Sequence, residues 1–151
     1  FYLKTKNLII NRKYSTNKRK IKEIDHYNWW FQNNNRRSYI VEKEKTKLMI
    51  LTEEIYYQPN LKKIIFTGLL SCKEKIDLKD LLKAISWQNK NILKYKKSIN
   101  VIMVNKINTF GNLQSKFFKF NYLKKEDKLY RIISNIKNID EKINVYFKEI
   151  T

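Results

Sequence analysis

Eight cations fall in the first 22 residues of this chain, and no acid accompanies them: Lys4, Lys6, Arg12, Lys13, Lys18, Arg19, Lys20 and Lys22. Arg36 and Arg37 form a second basic pair. Side chains of this type and density neutralise phosphates. They bind by releasing counterions, so their affinity falls steeply with salt. The whole chain holds 33 basic against 14 acidic residues, a formal charge of +19, which points to a polyanionic partner. Lys, Asn, Ile, Tyr and Phe are abundant, while the chain has two Gly and one Pro. A+T-rich codon usage accounts for that bias but not for the excess of base over acid, because Glu codons are A-rich too.

Chemistry on a substrate finds little support at this level. Cys72 is the only cysteine, so no disulfide forms within the chain and no cysteine cluster binds a metal. Cys72 reads as a small buried hydrophobe. His26 is also alone and reads as structural or exposed. Glu53-Glu54 and Glu126-Asp127 are neighbours in sequence, and adjacent side chains diverge, so they make poor acid–base pairs and read as solvated surface. There is no Gly-rich phosphate loop and no metal-ligand cluster. The expectation is therefore a protein that is not an enzyme, with no catalytic residue, cofactor or metal. No apolar run reaches the roughly 20 residues that span a bilayer, so no membrane insertion is expected.

The elements that would position a binding surface lie mostly in the second half. Gln58-Pro59-Asn60 is a turn signal and marks a boundary. Residues 1–22 read as a basic arm, extended or disordered. Residues 23–60 read as an extension packed on the domain or a neighbour, with some helix in 20–34 and a strand near 47–52. Trp29, Trp30 and Phe31 would pin that extension down or stack on bases. Residues 61–151 read as the compact domain. Lys63–Leu70 is a β-branched and aromatic strand. Asp77 caps a helix carrying Leu78, Leu81, Leu82 and Ile85. Asn100–Ile107 is a strand, residues 108–112 a turn and Lys116–Tyr122 a strand. Leu129, Ile132, Ile133 and Ile136 line one face of a helix. Ile143, Val145 and Phe147 alternate with Asn144, Tyr146 and Lys148 in a last strand. The order is βαββαβ, a ferredoxin-like α+β plait. Both helices would cover one sheet face and leave the other open.

Ile65-Phe66-Thr67-Gly68-Leu69-Leu70 and Ser115-Lys116-Phe117-Phe118-Lys119-Phe120-Asn121-Tyr122 resemble the paired short motifs of the RNA recognition motif family. The resemblance covers roughly residues 62–150. It implies base stacking by Phe66 and places the family's other two stacking positions on Phe117 and Lys119. With Asn144 and Tyr146 these form an RNA-binding sheet face. The same order is similar in topology to the sixth small-subunit protein of bacterial-type ribosomes. The resemblance implies a structural RNA-binding component of a large ribonucleoprotein, most plausibly a mitochondrial ribosomal protein, with ribosomal RNA and neighbouring proteins as partners. The acid-free N-terminal stretch reads as a presequence and so suggests the mitochondrial matrix. The alternative is an accessory subunit of an organellar membrane complex that contacts no RNA.

Overall fold

The computed structural model describes residues 1–15, 19–59 and 62–151. Three helices come first: α1 (Tyr2–Lys6), α2 (Ile9–Tyr14) and α3 (Glu23–Gln32). Strands β1 (Arg36–Lys43), β2 (Thr46–Tyr56) and β3 (Lys63–Ser71) follow, then α4 (Leu78–Ile92) and β4 (Ser98–Asn105). The chain ends with α5 (Thr109–Phe117), β5 (Asn121–Tyr122), α6 (Lys128–Ile136) and β6 (Ile143–Ile150). The Asp77 carboxylate caps α4 by accepting from the amides of Lys79 and Asp80. The helix in 20–34 and the strand near 47–52 form as expected, and both elements reach beyond a single turn of local pattern because the sheet and the aromatic cluster described below hold them.

All six strands belong to one sheet, in the order β1-β2-β3-β4-β6-β5. β3 and β4 pair in parallel, and every other neighbouring pair is antiparallel. β1 and β2 form a hairpin in which Lys43 faces Thr46 across a two-residue turn. Both turn residues are left-handed, Glu44 at φ 50° and Lys45 at φ 63°. That is the type I′ geometry, which matches the strand twist but usually calls for Asn and Gly.

The expected plait is overturned. A ferredoxin-like plait is a split βαβ arrangement, in which another strand lies between the two joined by the first helix. Here β3 and β4 are joined by α4 and lie directly side by side. The segment 116–122, expected as a strand, is the end of α5 followed by a tight cap. Asn108 accepts from the Gly111 amide to start the helix. At its end the Phe120 amide donates to Ser115 O and the Lys119 amide to Lys116 O, with Lys119 at φ 58°. These are the paired bonds of a Schellman cap, in which the left-handed position favours glycine. Only Asn121 and Tyr122 remain as strand.

Neither sheet face is left open. Ile65 packs with Ile92 of α4, and Met49 and Leu51 pack with Ala84 of the same helix. On the other side Ile64, Phe66 and Val101 pack against Ile133 of α6. Helix α5 sits on the α4 side, where Asn112 accepts from the Asn144 side chain and from the Tyr146 hydroxyl, each at 2.9 Å.

Candidate active site

The β3–β4 ladder is short. It runs from Lys63↔Ser98 to Phe66↔Val101 and stops, although β3 continues to Ser71 and β4 to Asn105. Past that point the two parallel strands splay apart. A cleft of ≈ 820 Å³ opens between them, lined by Thr67–Leu70 on one side and Ile102–Asn105 on the other. Two asparagines hold its walls. Asn11 of α2 donates to Ser71 O at 2.7 Å and accepts from the Ser71 amide at 2.8 Å, which fixes the end of β3. Asn112 of α5 donates to Asn105 O and Asn108 O and accepts from β6, which fixes the end of β4. At the base of the splay the Thr67 hydroxyl donates to buried Asn100 at 3.0 Å.

The same cleft reaches Tyr2, Lys6, Arg36, Glu54 and Lys137 on the α6 side of the sheet. Glu54 faces Phe66 across the β2–β3 ladder, one step from the splay. Its carboxylate is ion-paired with Arg36 and with Lys137 and accepts from the Tyr56 hydroxyl at 3.2 Å. Arg36 also donates to the Tyr2 hydroxyl. Its guanidinium lies 4.8 Å from the Trp29 ring and 5.2 Å from the Tyr2 ring. Lys6 lies 5.0 Å from Trp29. Tyr2, His26, Trp29 and Trp30 form one cluster of stacked, tilted and edge-on rings, with centroids 5.5–6.4 Å apart, and so pin α1 to α3.

This setting shifts the titrating groups in definite directions. Burial pushes the Glu54 carboxyl up, but the Lys137 ammonium, the Arg36 guanidinium and the Tyr56 hydroxyl outweigh it and hold the group below its ordinary value. Burial, then repulsion from Arg36 and Lys137, lowers Lys6. Burial raises Tyr2. Burial, then Lys6 and Arg36, lowers His26 from 6.5. Arg36 Nε is buried and has no partner among the described residues, so an acceptor entering the cleft could complete it.

Of the residues marked out in the sequence, the structure brings Lys6, Arg36 and Phe66 together at this site. Phe66 is 7% exposed and stacks edge-on with Tyr56. The other expected sheet-face residues do not join it. Asn144 and Tyr146 lie under α5 on the opposite face, and Phe117 is 72% exposed at the end of that helix. Lys119 is its cap. In the arm, Lys4 is exposed on α1, Arg12 donates to Asn7 O, and Lys13 lies over Tyr14. Arg19, Lys20 and Lys22 are exposed, and Lys18 lies outside the described residues. Arg37 donates to the Tyr95 hydroxyl.

Tyr2, Asn11, Glu54, Asn112 and Lys137 escaped the sequence reading. One signal was present for Glu54: it sits with Glu53 inside an apolar strand run, where a carboxylate must find partners. Glu53 is fully buried on the α4 side, where it accepts from Asn91 at 2.7 Å and from Tyr39 and Tyr95. The expectation of solvated surface fails for both. Among the described residues no cluster of His, Cys, Asp or Glu could hold a metal ion, and no helix is long and apolar enough to cross a membrane.

No family model and no curated protein matches this sequence. Solved structures do match its fold. A domain from Methanocaldococcus jannaschii superposes with a TM-score of 0.73 at 16% identity, over 97% of this chain and 88% of that one. A ribosomal-protein-alanine N-acetyltransferase from Brucella melitensis gives 0.68 at 7% identity, over 97% and 89%. A ribosomal L7/L12 α-N-protein acetyltransferase, RimL, solved in complex with coenzyme A, gives 0.66 at 13% identity, over 99% and 85%.

These matches correct the sequence reading. The resemblances to the RNA recognition motif and to the ribosomal protein rested on a plait that the chain does not form. The RNA-binding, ribosomal-protein role and its ribosomal RNA partner fall with it. The exclusion of enzymatic activity falls too, because two of these structures are N-acetyltransferases, and they lend no support to the accessory-subunit alternative. The chain has the mixed, six-stranded α+β fold of the GNAT N-acetyltransferases.

Proposed function

We propose that this protein is an N-acyltransferase that takes its acyl group from a pantetheine thioester. The observation that carries the reading is the splayed β3–β4 pair, whose cleft runs on to a half-buried carboxylate ion-paired with Arg36 and Lys137. Strand edges that diverge present peptide groups to an extended ligand, much as a missing strand would. A pantetheine arm carries amides along an extended chain and fits that chemistry. The far, diphosphate end of a coenzyme A ester fits less well, because the first amides of α4 are already taken by Asp77.

When bound, the thioester supplies an activated acyl group: a C–N bond forms to the acceptor amine, the C–S bond breaks, and the thiol leaves with the proton that the amine gives up. This chain's residues prepare that exchange. Lys6, Arg36 and Lys137 surround the acceptor position with positive charge. The burial and the nearby cations that lower Lys6 also lower an amine docked beside it, so the acceptor nitrogen arrives with its lone pair free. Glu54 takes that proton from the nitrogen and yields it to the departing thiolate, so the carboxylate is regenerated as the thiol leaves. The nitrogen becomes strongly acidic as the C–N bond forms, so a carboxylate of low proton affinity suffices. Phe66 and Tyr56 exclude water from one side of Glu54. The test is thiol release from acetyl-phosphopantetheine and acetyl-coenzyme A in the presence of a panel of amines. The expected result is amine-dependent release. Absence of release from every thioester and amine pair would overturn the reading.

A further inference from the structure

Resting on that acyl-transfer reading, we propose that the donor is a phosphopantetheine thioester carried on an acidic carrier protein, rather than a free coenzyme A ester. The two share the arm that the cleft accommodates. They differ at its far end, where one has an adenosine diphosphate and the other a protein surface.

We place that end at the loop between β3 and α4, whose Glu74 and Ile76 line the cleft. Diphosphates bind at helix N-termini when backbone amides are free and the local charge is positive. The first condition fails at α4. Asp77 Oδ1 accepts from the Lys79 amide at 2.8 Å and from the Asp80 amide at 3.3 Å. Glu74, Asp77 and Asp80 place three carboxylates within seven residues, and Glu74 lines the cleft itself. Gly68 and Gly111 are the chain's two glycines, so the loop has none with which to wrap its backbone around a phosphate. At α5, whose start also lines the cleft, Asn108 takes the Gly111 amide.

Positive charge is present at the mouth in another form. Lys73, Lys75, Lys79 and Lys83 are exposed on flexible stems, and Leu78 among them is 57% exposed. Cations around an apolar contact suit an acidic protein surface docking by charge complementarity. The net charge of +19 favours the same class of partner.

The experiment compares three donors with one active amine: acetyl-phosphopantetheine, acetyl-coenzyme A, and an acidic acyl carrier protein bearing the acetyl thioester. The carrier thioester should react with a kcat/KM about a hundredfold above that of acetyl-coenzyme A, with an advantage that shrinks as salt is added. Acetyl-coenzyme A should bind no more tightly than acetyl-phosphopantetheine. Binding of acetyl-coenzyme A about tenfold tighter than acetyl-phosphopantetheine would show that the adenosine diphosphate is held, and would overturn the proposal. A carrier thioester no better than acetyl-phosphopantetheine would overturn it as well. Both outcomes leave acyl transfer standing. Failure of all three donors overturns acyl transfer itself, and the carrier proposal with it.

Discussion

Glu54 concentrates the chemistry of this protein in one side chain. Glu54→Gln keeps the shape and removes the base, so the rate of acyl transfer should fall about 10²- to 10⁴-fold. The same change weakens the charged hydrogen bonds with Arg36 and Lys137 and should cost about 1.5–3 kcal/mol, read from the urea midpoint. A second prediction follows from ionisation. The folded state holds the Glu54 carboxyl below 4.5, so the stability it contributes is present above pH 4.5 and is lost as pH falls through the lower, folded value. The acid limb of a pH–stability profile should therefore be less steep in Glu54→Gln than in the parent protein. Little of this was legible in the sequence. The adjacent Glu53 and Glu54 do diverge, as neighbours in a strand must. What the sequence did not show is that Glu53 is buried and Glu54 half-buried, because their partners lie far along the chain: Tyr39, Asn91 and Tyr95 for Glu53, Arg36 and Lys137 for Glu54. Lys6, read as part of an extended or disordered phosphate-binding arm, lies at this site instead, because the Trp29 and Trp30 cluster folds α1 back over the sheet.

At the scale of the element, periodicity was a good guide where packing is one-sided. The strands at 63–71, 98–105 and 143–150 and the helices starting after Asp77 and Asp127 stand close to where their apolar spacing places them. It failed at two places, and each has a local cause. The hairpin turn at Glu44-Lys45 lacks its usual residues, so nothing announced that β1 and β2 pair. Replacing the two by Asn and Gly should relieve the left-handed strain and stabilise the fold by about 1 kcal/mol, measurable by thermal or urea unfolding. The run Phe117-Phe118-Lys119-Phe120 carries strand-like residues, but Asn108 starts a helix upstream and Lys119 ends it in the left-handed region. Lys119→Gly should therefore also stabilise the protein, by about 1 kcal/mol. If Lys119 belonged to an extended strand, glycine there would destabilise it instead.

For the whole molecule, most elements were readable and their arrangement was not. Local pattern carries no record of which strands become neighbours. Reading α5 as a strand and leaving β1–β2 out of the sheet turned a mixed sheet into a plait, and the plait then seemed to offer an open face for RNA. The parallel β3–β4 pair and its splay exist only once all six strands are assembled. The basic excess was real in the sequence, and the fold now gives it two settings: the field around Glu54 and the lysines at the mouth of the cleft. The most direct test of the account is an amide chemical-shift titration of the intact protein with acetyl-phosphopantetheine. The account predicts perturbations at Thr67–Leu70, Ile102–Asn105 and Glu54, on both walls of the splay and at its base. Shifts confined to the exterior lysines, or no shifts at all, would contradict it.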